Sequence, residues 1–128
     1  MNDIIEIRRI RVNKPSLKFA DKLVFRCTNI EKGRFTIYSS VAKLLNVTCG
    51  SAIMFSISKS NNCGFIYKED VQKDSYILNE YDKINYRFCS SELSRLFKNV
   101  FNITDKECYF EVEPIQNDKG QYMFKLIN

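Results

Sequence analysis

The order of the predicted secondary-structure elements repeats along this chain, and the repetition constrains the fold more than any other feature. Two strands, a helix, a turn and two further strands are predicted in residues 21–70, and the same order is predicted in residues 74–128. One such unit is too small to enclose a hydrophobic core. We therefore expect residues 21–128 to form one mainly β domain with two short helices (α+β), in which both units share a barrel core. A coincidence between two generic ββαββ stretches is the alternative.

Alternation of apolar and polar residues marks the strands, and turns rich in Gly, Asn and Lys separate them. Each helix follows a serine that can cap it, Ser39 or Ser40 in the first half and Ser90 in the second. The second helix is expected to bury one apolar side, formed by Leu93, Leu96, Phe97 and Val100. The predicted strands are 23–30, 34–39, 52–60, 65–70, 75–82, 83–90, 108–115 and 121–128, and the predicted helices are 41–47 and 91–101.

The two halves can be aligned with one insertion, which falls in the second helix. Sequence identity between them is low, but apolar positions and serines of the helix starts coincide. The aligned pairs include Ile37 with Phe88, Leu45 with Leu96, Val47 with Ile103 and Ile53 with Tyr109. The alignment predicts an internal repeat.

The composition excludes several classes of protein. A chain of 128 residues that is 45% hydrophobic can bury a core, so it is not expected to be disordered. Its five cysteines are irregularly spaced and it has no histidine, which argues against a disulfide framework, a zinc site and general acid–base catalysis. No enzyme activity and no cofactor are expected. The absence of a long apolar run or a secretory signal predicts a cytoplasmic protein without a membrane partner.

The positive charge of the chain is concentrated near its start. The net charge is +5, and residues 1–35 hold nine basic and four acidic residues, whereas residues 36–128 hold eleven of each. This asymmetry favours a polyanionic partner. A solvated basic tail is the alternative.

Residues 1–20 are predicted to form a basic N-terminal strand or arm. Charges alternate with isoleucines and a valine in the stretch IIEIRRIRV, which is typical of a strand. A bulge at Arg8 and Arg9 would turn both side chains outward while the flanking apolar residues face the core. Pro15 would then end the strand.

The stretch from Gly33 to Phe55 resembles the AbrB/SpoVT-type family of swapped-hairpin barrels. The resemblance covers residues 21–69 and needs no gap between Gly33 and Phe55. The matching positions are Gly33 and Arg34 at the turn, Ile37 at the strand end, Leu45 at the helix end, Val47 at the bend and Gly50 at the second turn. The departures are Tyr38 for the family's proline, Asn46 for the bend glycine and Ser51 for the aspartate.

The resemblance implies a single-chain pseudo-dimer of two ββαββ units and a small DNA-binding regulator. Double-stranded DNA would be contacted through a basic N-terminal face, since arginine can bond both phosphates and guanine edges. The candidate nucleic-acid-binding residues are Arg8, Arg9, Arg11, Arg26, Lys32, Arg34 and Lys43.

The alternative function is a non-catalytic protein-interaction or assembly module that has lost DNA binding, with a protein partner or a second copy of the chain as its target. Seven tyrosines favour this class, because tyrosine is enriched at protein interfaces. Basic residues gathered on one exposed face would favour nucleic acid, whereas a contiguous apolar patch would favour a protein partner.

Overall fold

The computed structural model describes residues 22–28 and 30–127, which form nine strands and two helices. The predicted strand or arm of residues 1–20 lies outside the described residues. The strands are β1 (Val24–Thr28), β2 (Arg34–Ile37), β3 (Ala52–Ser58), β4 (Cys63–Glu69), β5 (Tyr76–Ile77), β6 (Asn79–Glu80), β7 (Tyr86–Cys89), β8 (Glu107–Gln116) and β9 (Tyr122–Leu126); the helices are α1 (Ser39–Leu45) and α2 (Ser91–Phe101).

The strands form one antiparallel sheet that curls into a nearly closed barrel, so the prediction of a mainly β fold with two helices is confirmed. The strand order is β5-β3-β4-β9-β8-β1-β2-β7-β6. Only Leu78 separates β5 from β6, yet β5 pairs with β3 and β6 pairs with β7. The N–H of Leu78 donates to Ser51 O at 2.9 Å, and its carbonyl accepts from Gly50 N at 2.8 Å. Residues 76–80 thus join the two ends of the sheet and replace the single strand predicted over 75–82.

The two halves of the chain are interleaved within this sheet. The hairpin β1–β2 lies between β8 and β7, which both come from the second half, and β4 pairs with β9. The strand pairing is symmetric between the halves: β1 corresponds to residues 76–80, β2 to β7, β3 to β8 and β4 to β9. When each element is exchanged for its counterpart, every strand pair becomes a pair that is also observed. Each half therefore depends on the other for part of its strand pairing.

Both helices end in the same way. Asn46 and Asn102 have left-handed backbone conformations, with φ of 56° and 53°. The following residue, Val47 or Ile103, donates its N–H to a carbonyl of the last helical turn at 3.0 and 3.1 Å. The sequence alignment pairs Val47 with Ile103, so aligned positions have equivalent backbone roles.

The start of α1 differs from the prediction, whereas α2 spans the predicted residues. Ser90 caps α2, because its hydroxyl accepts from Leu93 N at 3.1 Å. In α1, however, neither serine acts as the N-cap, and the helix begins at Ser39 instead of residue 41. The N–H of Ser39 donates to Asn85 Oδ1 at 2.9 Å, so a side chain from the second half of the chain satisfies the start of this helix.

Phenylalanine rings fill the barrel. Phe97 of α2 lies at the centre, with ring-centroid distances of 5.1 Å to Phe110 and 5.6 Å to both Phe35 and Phe124. These rings are fully buried, and most of their contacts are edge-to-face, a favourable aromatic geometry. The helix α2 is therefore fixed to the sheet through the core.

The prediction of which residues form the buried side of α2 is partly wrong. Leu96 remains 42% exposed, and Ser94 is fully buried. The Ser94 hydroxyl donates to Ile30 O, and its small side chain lets the helix approach the turn at Gly33. The buried positions of the helix are Leu93, Ser94, Phe97 and Phe101.

Candidate functional site

Basic side chains from neighbouring strands meet on the outer face of β1, β2, β7 and β6. Successive side chains of a strand point to opposite faces of the sheet, so the residues between the core positions face outward. In the register of the sheet, Arg26 is opposite Thr36, Thr36 is opposite Arg87, and Arg87 is opposite Asn79. Arg34 is opposite Cys89. The fold thus brings arginines from both halves of the chain to one surface.

A groove of about 670 Å³ lies on this outer face. Its size is in the range of ligand-binding clefts. The polar side chains that line it belong to Thr28, Arg34, Thr36, Asn79, Tyr81, Arg87 and Cys89, and no aspartate or glutamate is among the described residues of its lining. We call it the arginine groove.

Arg34 and Arg87 carry the positive charge of the arginine groove. Both are exposed, and within the described part of the chain neither forms an ion pair. The guanidinium of Arg87 lies 5.4 Å from the ring centroid of Tyr81, a cation–π distance, and Tyr81 is 38% exposed. Guanidinium groups that form no ion pair with the described residues, beside a partly exposed aromatic ring, form a surface that can bind a phosphate and stack against a base.

Arg26 shares this outer face but is engaged by neighbours. Its Nη2 lies 3.0 Å from Glu107 Oε2 on β8, and its guanidinium lies 5.8 Å from the ring centroid of Tyr109. Only 28% of its side chain is exposed. Arg26 therefore has less capacity to bind a partner than the sequence analysis predicted.

The two lysines among the candidate residues lie apart from each other. Lys32 is exposed in the turn between β1 and β2, two residues before Arg34. Lys43 of α1 lines a second cavity, of about 320 Å³, together with Lys83 and the apolar side chains of Ile84 and Tyr86. We call this the lysine cavity. Arg8, Arg9 and Arg11 lie outside the described residues.

Sequence reasoning missed Arg87 and Lys83 as site residues, and it considered Tyr81 only as one of the tyrosines that favour a partner interface. Arg87 stands in the alternating stretch YRFC, so its outward orientation was predictable from the pattern. Its presence on the same face as Arg34 was not, because that placement depends on β2 pairing with β7, a strand far away in the sequence. Only the strand order shows that the two arginines belong to one site.

Tyr38 lies near Arg26 on the outer face and should make stability depend on alkaline pH. Burial raises its pKa to about 12, and the nearby cation of Arg26 only partly opposes this effect. Since the folded state holds the phenolic proton more tightly than the unfolded state, stability should fall as the pH rises from 10 towards 12. Urea unfolding of wild type and Tyr38→Phe across this range measures the effect.

The phenylalanine variant should lose that part of the pH dependence and keep its stability at neutral pH. The Tyr38 hydroxyl and the neighbouring Arg26 Nε are both buried without a well-formed hydrogen bond among the described residues, so removal of the hydroxyl breaks no such bond. An identical fall of stability in both proteins between pH 10 and 12 would contradict the assignment to Tyr38.

Comparison of the chain with protein-family models, with curated proteins and with solved structures found no match. In the part of the chain that the structure describes, neither helix is long and apolar enough to cross a membrane.

Proposed function

We propose that this chain is a non-catalytic nucleic-acid-binding protein that holds a phosphate backbone in the arginine groove. The observation that carries the proposal is the pairing of two exposed arginines, Arg34 and Arg87, with a half-exposed tyrosine in a groove whose described lining contains no acid. A guanidinium group can donate two parallel hydrogen bonds to a phosphate. Thr28 and Asn79 add neutral polar groups of the kind that position a sugar–phosphate backbone.

The net charge supports a polyanionic partner. The chain carries +5, and the lining of the groove contains two arginines and no carboxylate among the described residues. Attraction of this kind accelerates association with nucleic acid and weakens with salt. Two members of the implied duplex-binding surface are not part of the groove, since Arg26 is paired with Glu107 and Lys43 lies at another cavity. The groove therefore supports binding to nucleic acid in general.

We further propose that the barrel is a single-chain pseudo-dimer of the swapped-hairpin kind, and that the protein is an AbrB-like regulator. The exchange symmetry of the strand pairs supports the pseudo-dimer, and the equivalent helix ends at Asn46 and Asn102 support a repeat. In such a barrel the hairpins of one unit lie between strands of the other, which leaves few exposed edges. Gly33 and Arg34, which match the family's turn, lie beside the arginine groove.

Binding to labelled oligonucleotides, measured by fluorescence anisotropy at about 50 and 200 mM salt, tests the proposed function. Wild type should bind at low salt and weaken steeply at high salt. The double variant Arg34→Ala/Arg87→Ala should bind about tenfold or more weakly, because two charge-assisted contacts are lost.

The matched control is Lys73→Ala/Lys119→Ala, which removes the same charge from two exposed positions away from the groove. It should change the affinity by less than about threefold, the scale of a general charge effect. Equal losses in the two double variants would contradict a site in the groove. No binding at low salt would contradict the function itself and favour a protein-interaction module.

A further inference from the structure

The arginine groove and the lysine cavity are joined by one loop. Tyr81 and Arg87 line the groove, whereas Lys83, Ile84 and Tyr86 line the cavity. Tyr86 and Arg87 are consecutive in β7 and point to opposite faces of the sheet, so the groove and the cavity approach each other only around the loop 81–85. A ligand that follows this loop from Tyr81 would meet Lys83 and Ile84 at the border of the cavity.

The loop between the depressions is held in place by hydrogen bonds. Asp82 Oδ1 accepts from the N–H groups of Ile84 and Asn85, each at 2.9 Å, and Asp82 Oδ2 accepts from Asn85 Nδ2 at 2.9 Å. Asn85 Oδ1 in turn accepts from Ser39 N at the start of α1. These bonds direct the carboxylate of Asp82 towards the loop itself. The same bonds hold the backbone on both sides of Asp82, where the exposed residues Tyr81 and Lys83 lie.

The exposed side chains of the loop 81–85 can contact both the bases and the phosphates of a nucleic acid. Tyr81 is 38% exposed and Ile84 is 44% exposed, and each borders one of the two depressions. Lys83 stands between them in the chain and is exposed. An aromatic or apolar side chain that alternates with a cation is the arrangement that binds bases and phosphates of an unpaired strand.

We propose that the chain binds single-stranded nucleic acid along a path that begins in the arginine groove, crosses the loop 81–85 and ends in the lysine cavity. The inference rests on the proposed function and specifies its substrate class. Phosphates are bound by Arg34 and Arg87 at one end and by Lys83 and Lys43 at the other, and a base stacks on Tyr81. This path gives Lys43 a role in nucleic-acid binding although it lies outside the groove.

A single strand suits this path better than a duplex does. The bases of a duplex are stacked inside a stiff cylinder, so they cannot reach the Tyr81 ring in a concave groove without being unstacked. A single strand has free base faces and can bend over the loop into both depressions. The expected preference is therefore for unpaired strands, with little dependence on sequence, since stacking accepts any base.

The test compares three labelled probes: an oligothymidylate of about 4 nucleotides, one of about 12 nucleotides and a duplex of about 12 base pairs, lengths within the range of known single-strand sites. Wild type should bind the longer single strand at least about tenfold more tightly than the duplex. Lys43→Ala/Lys83→Ala should weaken binding of the longer strand by about fivefold or more and leave the shorter one unchanged. Arg34→Ala/Arg87→Ala should weaken both strands.

Tyr81→Leu supplies a second, independent readout. It should weaken single-strand binding by about tenfold and duplex binding by much less, because only an unpaired base can stack on the ring. Circular dichroism and the midpoint of urea unfolding confirm that each variant is folded. The Lys73→Ala/Lys119→Ala protein again controls for net charge.

The outcomes separate the inference from the proposed function. Duplex binding as tight as single-strand binding would overturn the inference while leaving nucleic-acid binding in place. A lysine variant that loses affinity equally for the short and the long strand would overturn the path. Failure of wild type to bind all three probes at low salt would overturn both.

Discussion

Phe97→Ala should lower the free energy of unfolding by about 3–5 kcal/mol, the usual cost of removing a large ring from a well-packed core. Phe97 is fully buried and its ring contacts rings from β2, β8 and β9. Those strands are held in place by the barrel, so the surrounding core has limited freedom to collapse into the cavity. The midpoint and slope of urea unfolding, followed by circular dichroism, measure the loss.

Leu96→Ala is the matched control for this prediction. Leu96 is the preceding residue of the same helix but is 42% exposed. Leucine and alanine have similar helix propensities, so the change should cost less than about 1 kcal/mol. Comparable losses at the two positions would show that the orientation of α2 differs from the one described.

The comparison of Leu96 with Phe97 also shows how far the sequence predicts this helix. The capping serine and the spacing of apolar residues were sufficient for its bounds, because both signals are local. Its orientation was predicted with one error, because the spacing alone allowed Leu96 or Ser94 to face the sheet. Contact with the turn at Gly33 decides between them, since only a small side chain fits there.

The same distinction between local and distant information applies to the strands. Their approximate positions followed from alternation, yet the division of residues 75–82 into β5 and β6 did not. That division arises because the two strands pair with different partners on either side of Leu78. Alternation reports which face of a sheet a residue occupies but not which strand lies next to it.

The candidate site was predictable only in part for that reason. Arg34 was identified from its place in a turn motif, and it does line the groove. Arg87 and Tyr81 become part of the site through the pairing of β2 with β7 and of β7 with β6. The pairing also explains why residues 36–128, which carry no net charge, contribute Arg87 to a basic surface.

Gly33→Ala should lower the free energy of unfolding by about 2–5 kcal/mol. Gly33 has a φ of 68°, which costs a residue with a side chain about 1–2 kcal/mol. A Cβ atom would also overlap the carbonyl of Ser90 and lie 2.8 Å from Ser94 Oγ, and overpacking of this kind adds about 1–3 kcal/mol. Urea unfolding provides the measurement.

Gly120→Ala separates the two contributions. Gly120 has a similar φ of 75°, but a Cβ atom there would meet nothing within 4 Å, so the expected loss is about 1–2 kcal/mol from conformation alone. Equal losses in the two variants would show that the close approach of Gly33 to Ser90 is unimportant.

A larger loss at Gly33 would connect stability with the candidate site. The carbonyl of Gly33 accepts from Ser90 N at 2.8 Å, and Ser90 caps α2, so the turn and the helix start are held together. Arg34 follows directly in the chain and lies opposite Cys89, which precedes Ser90. Any shift of this turn would therefore move Arg34 relative to Arg87. We expect folded Gly33→Ala protein, assayed well below its unfolding temperature, to bind nucleic acid more weakly than folded Gly120→Ala protein does.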